Sequence, residues 1–146
     1  LVRGSLFGST TFAFAIRKIG DHHQSMSAFD FSSLIADVAE VISDTLTGHQ
    51  FLMSYVGSGT FVCVTESGWK PEMKSLTDSV NLSLSQIELY NSNGEELHVR
   101  VSGGDAIRLI WKTESTVMDA ISAAYNSAEE ASAAYGRAQS SFWYGQ

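Results

Sequence analysis

Cysteine, proline, basic side chains and long apolar runs are all scarce in this chain of 146 residues. The single cysteine, Cys63, excludes an internal disulfide and suits a reducing compartment. Nine lysines and arginines stand against sixteen acids, for a formal net charge of −7, so the basic surface that binds a nucleic-acid backbone is missing. The longest apolar run, 12–16, is too short to cross a membrane. We therefore expect neither nucleic-acid binding nor direct membrane insertion.

The overall composition is typical of one globular domain. Hydrophobic residues make up 44% of the chain and charged residues 17%, which is enough apolar surface for a single core. Residues 1–5, LVRGS, look like the remnant of a protease site, and no secretory signal pattern is present. We expect 1–9 to be an expression remnant or linker, 10–146 to be the domain, and the chain to be a piece of a larger protein. An acidic domain can still bind a phosphorylated ligand through a local group of amides or arginines.

The first half of the chain shows clear local patterns. The stretch 10–19, TTFAFAIRKI, predicts a strand buried on both faces, because aromatic and small residues alternate along it. A polar loop is expected over 20–28. Asp30 is a good N-cap for a helix over 31–45, whose apolar residues recur at helical spacing. The stretch 51–65 is typical of a strand, a tight turn and a second strand.

The second half predicts a helix that the only proline opens, followed by two strands and another helix. The strands are expected over 97–102 and 106–111, and the helix over 113–135, ended by Gly136. The aromatic tail 140–144 would add a last strand. This element order predicts an α/β (α+β) domain with a mainly antiparallel central sheet flanked by helices.

The turn at 57–61 carries a signature. Its residues are Gly57, Ser58, Gly59, Thr60 and Phe61, and an apolar strand follows. The pattern resembles the GGDEF domains of the diguanylate cyclase (class III cyclase) fold, whose signature is an aromatic residue, Gly-Gly-Asp-Glu-Phe and an apolar strand. The first glycine and the phenylalanine match, whereas Gly59 and Thr60 replace the two carboxylates. Further similarities at 99–104 (VRVSGG) and 135–139 (YGRAQ) extend the resemblance over roughly 10–144.

The resemblance implies a catalytic site that has lost its ligands. Members of this family use two divalent ions to align a 3′-hydroxyl with an α-phosphate, and hard cations need carboxylates. One carboxylate comes from the end of the first strand, where Ala13 or Arg17 falls here, depending on where the loop gap is placed. The other comes from the turn, and the family's phosphate-contacting lysine falls at about Ala133. We therefore predict no catalytic residues, no metal site and no cofactor.

Three residues are candidates for contact with a nucleotide: Asp30, Ser58 and Gly59. Asp30 aligns with the family's Gly-Asp pair that holds the guanine base, and the backbone amides of the turn could cradle a phosphate. An N-cap role for Asp30 and a turn selected for its geometry are the structural alternatives. The adjacent His22 and His23 would point apart on a regular element and so chelate a metal poorly.

The function that the resemblance implies is that of a degenerate, catalytically inactive GGDEF-like domain. It would serve as a regulatory or protein-interaction module in bacterial cyclic-di-GMP signalling, in the cytoplasm or as the cytoplasmic part of a membrane-bound protein. Implied partners are a neighbouring EAL or sensor domain, a separate protein, a second copy in a homodimer, or a guanine nucleotide. Two alternatives stay open. One is an active nucleotide cyclase with relocated metal ligands such as Asp21 or Asp30, and the other is an unrelated α/β adaptor domain.

Overall fold

Five strands and four helices make up the described part of the chain, residues 9–108 and 114–144 of a computed structural model. In chain order they are β1 (Thr10–Ile16), α1 (Ile19–Ser25), α2 (Ala28–Thr45), β2 (Phe51–Tyr55), β3 (Thr60–Thr65), α3 (Met73–Gln86), β4 (Val101–Gly103), β5 (Ile107–Arg108) and α4 (Glu114–Tyr144). The predicted hairpin over 51–65 is confirmed. No helix in these ranges combines the length and the apolar character needed to cross a membrane.

β1 lies in the middle of the sheet and runs antiparallel to each strand that it pairs with. The strand order is β2-β3-β1-β4, and β5 pairs with the first residues of β1. At the other end of β1, Ala15 lies opposite Thr60 of β3 and Ser102 of β4. All seven residues of β1 are buried, as the alternation of aromatic and small residues predicts.

The two faces of β1 carry side chains of different size, and the helices pack accordingly. Phe12, Phe14 and Ile16 join a core with α2 and α3, in which each fully buried large side chain contributes about 1.5–3 kcal/mol. Ala13 and Ala15 form a second cluster on the face covered by α4. The other members of that cluster are Val62, Ala124 and Ala128. The helices thus cover both faces of a mainly antiparallel sheet, which confirms the predicted fold class.

The segment predicted as a polar loop, 20–28, is largely helical, so that prediction is wrong. α1 spans Ile19–Ser25 after a left-handed Lys18 (φ 56°), and none of its residues is fully buried. A helix of two turns without an apolar stripe leaves little periodic signal. The N-cap of α2 is Ser27, whose hydroxyl accepts a hydrogen bond from the Asp30 amide at 3.1 Å. Asp30 therefore lies in the first turn of α2 and is not its cap.

The predicted strand over 97–102 is shorter than expected. β4 begins at Val101. The Arg100 carbonyl before it still accepts from the Arg17 amide at 2.9 Å, whereas the Leu97 amide donates to the Leu89 carbonyl at 2.7 Å. The Asn81 side chain of α3 bonds both the amide (2.8 Å) and the carbonyl (3.0 Å) of Val101. Of the strand expected over 106–111, β5 is found, and 109–111 lie outside the described residues.

α4 is longer than the sequence predicts. It runs through Gly136 to Tyr144, 31 residues in all, so the expected helix end at Gly136 and the last strand over 140–144 are both wrong. Alanines on either side of Gly136 favour helix, and one interior glycine costs only about 1 kcal/mol. The 135–139 segment that resembles a post-helical motif lies inside α4.

Candidate functional site

The hairpin turn between β2 and β3 is built from left-handed backbone. Gly57 (φ 94°), Ser58 (φ 53°) and Gly59 (φ 74°) follow one another, and the Thr60 amide donates to the Gly57 carbonyl at 3.0 Å. Glycine adopts positive φ without steric cost. Ser58 and Lys18 are the two non-glycine residues with positive φ among those described. These two residues lie in the turn and just after β1, and backbone strain of this kind concentrates at functional sites.

A side chain at position 59 would collide with that of Ile19. A Cβ built on Gly59 would lie 2.7 Å from Cγ1 and 2.8 Å from Cδ1 of Ile19, at the start of α1. Its amide donates to the Tyr55 hydroxyl at 3.0 Å, and its carbonyl accepts from the Ile16 amide at 2.9 Å. The position that holds one of the two acids in the GGDEF signature is therefore filled by its neighbours. The Gly59 amide, a candidate phosphate ligand, already donates its hydrogen bond to Tyr55.

Thr60 is fully buried and faces α4. Its hydroxyl donates to the Glu129 carboxylate, and its backbone lies opposite Ala15. Glu129 is thus a carboxylate close to the signature turn that sequence reasoning missed. A signal was present, because Glu129 follows Tyr125 by one helical turn and shares the inward side of α4 with it. What could not be read from the sequence was which strand it would meet.

The end of β1 presents a cation where the family has an acid. Ala13 is buried under α4, and Arg17 follows the last residue of β1. The Arg17 Nε donates to the Ser102 hydroxyl at 3.0 Å, and its guanidinium carbon lies 4.0 Å from the centre of the Tyr135 ring. Neither Ala13 nor Arg17, the two positions that match the family's acid, supplies a carboxylate.

Asp30 is bound to a different part of the chain. Its carboxylate accepts hydrogen bonds from the hydroxyl (2.6 Å) and the amide (3.0 Å) of Ser92, in the turn that follows α3. The Ser92 hydroxyl, followed by its amide, holds the pKa of Asp30 below its ordinary value. No hydrogen bond among the described residues joins Asp30 to the 57–61 turn. The structure therefore places Gly59 beside the end of β1 and Thr60 against α4, while the Asp30 carboxylate is bound to Ser92.

The two adjacent histidines and the cysteine lie in packed surroundings. Burial, the largest influence, lowers the pKa of His22, and the His23 ring packs edge-on against Phe31 at 4.9 Å. Burial raises the pKa of the Cys63 thiol to about 12. Across the described residues, no three His, Cys, Asp or Glu side chains come close enough together to hold a metal ion.

Solved structures of known proteins share this fold. No family model and no curated protein matches the sequence. The FimX GGDEF domain from Pseudomonas aeruginosa superposes with a TM-score of 0.69 at 14% identity, over 85% of this chain and 74% of that one. Diguanylate cyclase SiaD of the same organism, solved in complex with its activator SiaC, gives 0.66 at 15% identity, over 84% and 46%. An EAL/GGDEF domain protein from M. capsulatus gives 0.63 at 13% identity, over 85% and 79%. The chain has the fold of a GGDEF domain.

Proposed function

We propose that this GGDEF-like domain is catalytically inactive and serves as a regulatory or protein-interaction module in bacterial cyclic-di-GMP signalling. The observation that carries the proposal is the contact between Gly59 and Ile19. The signature acid is absent at position 59, and the Ile19 side chain also occupies the space that an acidic side chain would need. A fold by itself does not define an activity, and for that reason the proposal rests on the site.

The chemistry of nucleotide condensation supports this conclusion. Two divalent ions that clamp the reacting oxygens need several carboxylates in one place. Next to the turn the described part of the chain offers the Glu129 carboxylate, which already accepts a hydrogen bond from Thr60. At the end of β1, Arg17 adds positive charge and would repel a cation. Without metal ions the reaction loses several kcal/mol of transition-state charge stabilisation.

The partners follow by analogy with the neighbours in fold. SiaD was solved with its activator SiaC, and the M. capsulatus protein is an EAL/GGDEF domain protein. We propose that residues 10–146 form one domain that acts on an adjoining EAL or sensor domain, on a separate protein, or on a second copy of itself, in the cytoplasm. Such coupling requires that a ligand or partner favours one of two states of the assembly.

The activity test is incubation of the protein with GTP and either Mg²⁺ or Mn²⁺, with a catalytically competent diguanylate cyclase assayed in parallel. We expect no dinucleotide product. Formation of any dinucleotide would overturn the proposal and favour the active cyclase with relocated ligands. Glu129→Gln and Asp21→Asn variants would then identify which carboxylates bind the metal.

The ligand test is calorimetric titration with GTP and with cyclic-di-GMP. Asp30, Ser58 and Gly59 stay our prediction for contacts to a guanine nucleotide, and Asp30→Asn should weaken any binding that is found. Binding without turnover supports a module regulated by nucleotide. If neither ligand binds, the proposed regulation acts through protein partners alone. Pull-down with an EAL domain is then the deciding measurement.

A further inference from the structure

An open cleft of about 550 Å³ lies between α3, β4 and α4. It is on the β4 side of the sheet, whereas the signature turn is on the β3 side, and none of residues 57–61 lines it. Gly103 and Gly104 form part of its wall. Both glycines are explained by packing, since a Cβ on Gly103 would collide with Thr77 and one on Gly104 would lie 2.5 Å from the Ala128 amide nitrogen.

Arg17 is the unusual group in this cleft. Neutral partners hold its guanidinium: the Ser102 hydroxyl at one nitrogen and the Tyr135 ring against its face. No carboxylate of the described residues forms an ion pair with it. A guanidinium presents five N–H donors, and here only Nε has a described hydrogen-bond partner. The terminal nitrogens of the guanidinium are therefore the donors left for a planar or tetrahedral oxyanion, which an arginine can hold through two parallel hydrogen bonds.

The other charges of the cleft restrict what can enter. Lys74 adds a second positive charge from the first turns of α3, and Asp78 and Asp105 add two negative ones. The Asp105 backbone is fixed, because its amide donates to the Ser127 hydroxyl at 2.8 Å. A ligand with several separated anionic groups would be repelled by the Asp78 and Asp105 carboxylates. A ligand with one compact anionic group and a nearby hydrogen-bond donor or amine satisfies both signs of charge.

We propose that this cleft binds a small molecule through one phosphate or carboxylate group held by Arg17, with a donor or amine of the same molecule directed to Asp78 and Asp105. The proposal goes beyond the regulatory function argued above. It shares Arg17 with that argument, but it uses neither the signature turn nor the loss of catalysis.

The test is a backbone-amide NMR titration of the protein with three probes at matched ionic strength: inorganic phosphate, acetate and O-phosphoethanolamine. We expect saturable shifts confined to the amides of 102–105 and 74. Phosphoethanolamine should bind up to about fivefold more tightly than phosphate, since an exposed ion pair to a carboxylate adds up to about 1 kcal/mol. A response to phosphate with silence from acetate assigns the anion as a phosphate, and the converse assigns it as a carboxylate.

The variants separate the site from a general ionic effect. Arg17→Gln should weaken binding about tenfold or more, as expected for a charge-assisted hydrogen bond. Lys74→Gln, at an exposed position, should weaken binding without affecting the fold. Arg108→Gln in β5, at the other end of the sheet, is the matched control and should bind like the wild type. Shifts that persist in both cleft variants, shifts equally reduced in the control, shifts centred on 57–61, or no saturable shifts at all would each overturn the proposal.

Discussion

At the scale of single residues, the contact between Ile19 and Gly59 determines what the signature turn can hold. The Ile19 side chain lies where a Cβ of residue 59 would project, and the backbone of Gly59 is left-handed. Both features act against any side chain there, whatever its charge. The contact joins two segments 40 positions apart, counted from 19 to 59, so it depends on the tertiary fold.

We predict that Gly59→Ala destabilises the protein more than Gly57→Ala does. Both substitutions place a Cβ on a left-handed residue, at about 1–2 kcal/mol each. Only the first meets Ile19, and crowding of this kind costs about 1–3 kcal/mol more. Urea unfolding of the two variants measures the difference, which Ile19→Ala in the Gly59→Ala background should remove. Equal losses for the two alanine variants would show that Ile19 yields without strain.

A second residue-scale prediction concerns the thiol of Cys63. Its pKa of about 12 leaves almost no thiolate near neutral pH, and the side chain is fully buried. Iodoacetamide should therefore leave the folded protein unmodified at mildly alkaline pH and label it rapidly in denaturant, as read by mass spectrometry. Because the chain has one cysteine, labelling of the native protein at the denatured rate would contradict the burial of this strand.

Some of these residue-level features could be predicted, and others could not. Glycines at 57 and 59 indicated positive φ, because few other residues adopt it. The N-cap role expected for Asp30 was wrong, because Ser27 and Asp30 are both good caps and the choice between them depends on where α2 begins. The bond of Asp30 to Ser92, 62 positions away, leaves no local trace.

At the scale of the elements, the bond between Asp30 and Ser92 connects the start of α2 to the turn after α3. It is a carboxylate–hydroxyl contact at an exposed position, with the pKa of Asp30 lowered from its ordinary value of 3.8. A lowered folded pKa means that the contribution to stability is complete above the ordinary value and disappears as the pH falls through the folded one.

We predict that Ser92→Ala is less stable than the wild type at neutral pH and that this difference vanishes in acid, below the folded pKa of Asp30. Chemical unfolding of both proteins from neutral pH down to about pH 2 measures how this stability difference changes with pH. The carboxyl groups of Glu66 and Glu72, whose pKa values are also lowered, titrate in both proteins and cancel. Ser85→Ala, which removes a hydroxyl bonded to the Leu82 carbonyl, is the control and should differ from the wild type equally at all pH values. A pH-independent effect of Ser92→Ala would exclude the Asp30 contact as its cause.

The seating of α4 on the sheet gives another element-scale prediction. A Cβ on Gly104 would lie 2.5 Å from the Ala128 amide nitrogen, and backbone cannot move aside as a side chain can. Gly104→Ala should therefore lower the free energy of unfolding by about 1–3 kcal/mol or more. The matched control is Gly20→Ala in α1, where nothing lies within 4 Å and the exchange should be neutral or stabilising by up to about 1 kcal/mol. Thermal unfolding of both variants measures this, and a neutral Gly104→Ala would mean that α4 sits further from the sheet.

The elements themselves were predictable to different degrees. β1, the hairpin and α2 carry strong periodic patterns, and their positions were confirmed within a few residues. α1 and the last turns of α4 were missed because a short helix without an apolar stripe, and a glycine inside an alanine-rich run, give misleading local signals. The Val101 amide at the start of β4 donates to the Asn81 side chain of α3, a tertiary contact that leaves no local signal in the sequence.

At the scale of the whole molecule, the two helical layers are unequal. The layer of α2 and α3 buries leucine, valine and isoleucine side chains, whereas the described part of α4 buries alanines at 120, 124 and 128. Alanine removes less apolar area from water, and stability follows that area at about 25 cal/mol per Å². The alternation in β1 predicts that both faces of the sheet are covered, but it does not predict which helix covers which face.

We predict that α4 is the first layer to open. In hydrogen–deuterium exchange read by mass spectrometry, peptides from 118–135 should exchange at least about tenfold faster than peptides from 34–45 of α2, since regions with less apolar burial open at lower free energy. The peptide containing β1 should be the slowest. Equal protection of the two helices would show that close backbone packing compensates for the small side chains.

The packing at Gly59 also bears on the history of a chain like this one. If the proposed loss of catalysis is correct, a mutation that returned an acid to position 59 would meet Ile19 and an unfavourable backbone at once. Recovery of the ancestral chemistry would then require coordinated replacements in α1 and in the hairpin, with each single intermediate less stable than the present protein. Steric occupation of this kind works as a ratchet, which makes the departure from enzymatic function easier than the return.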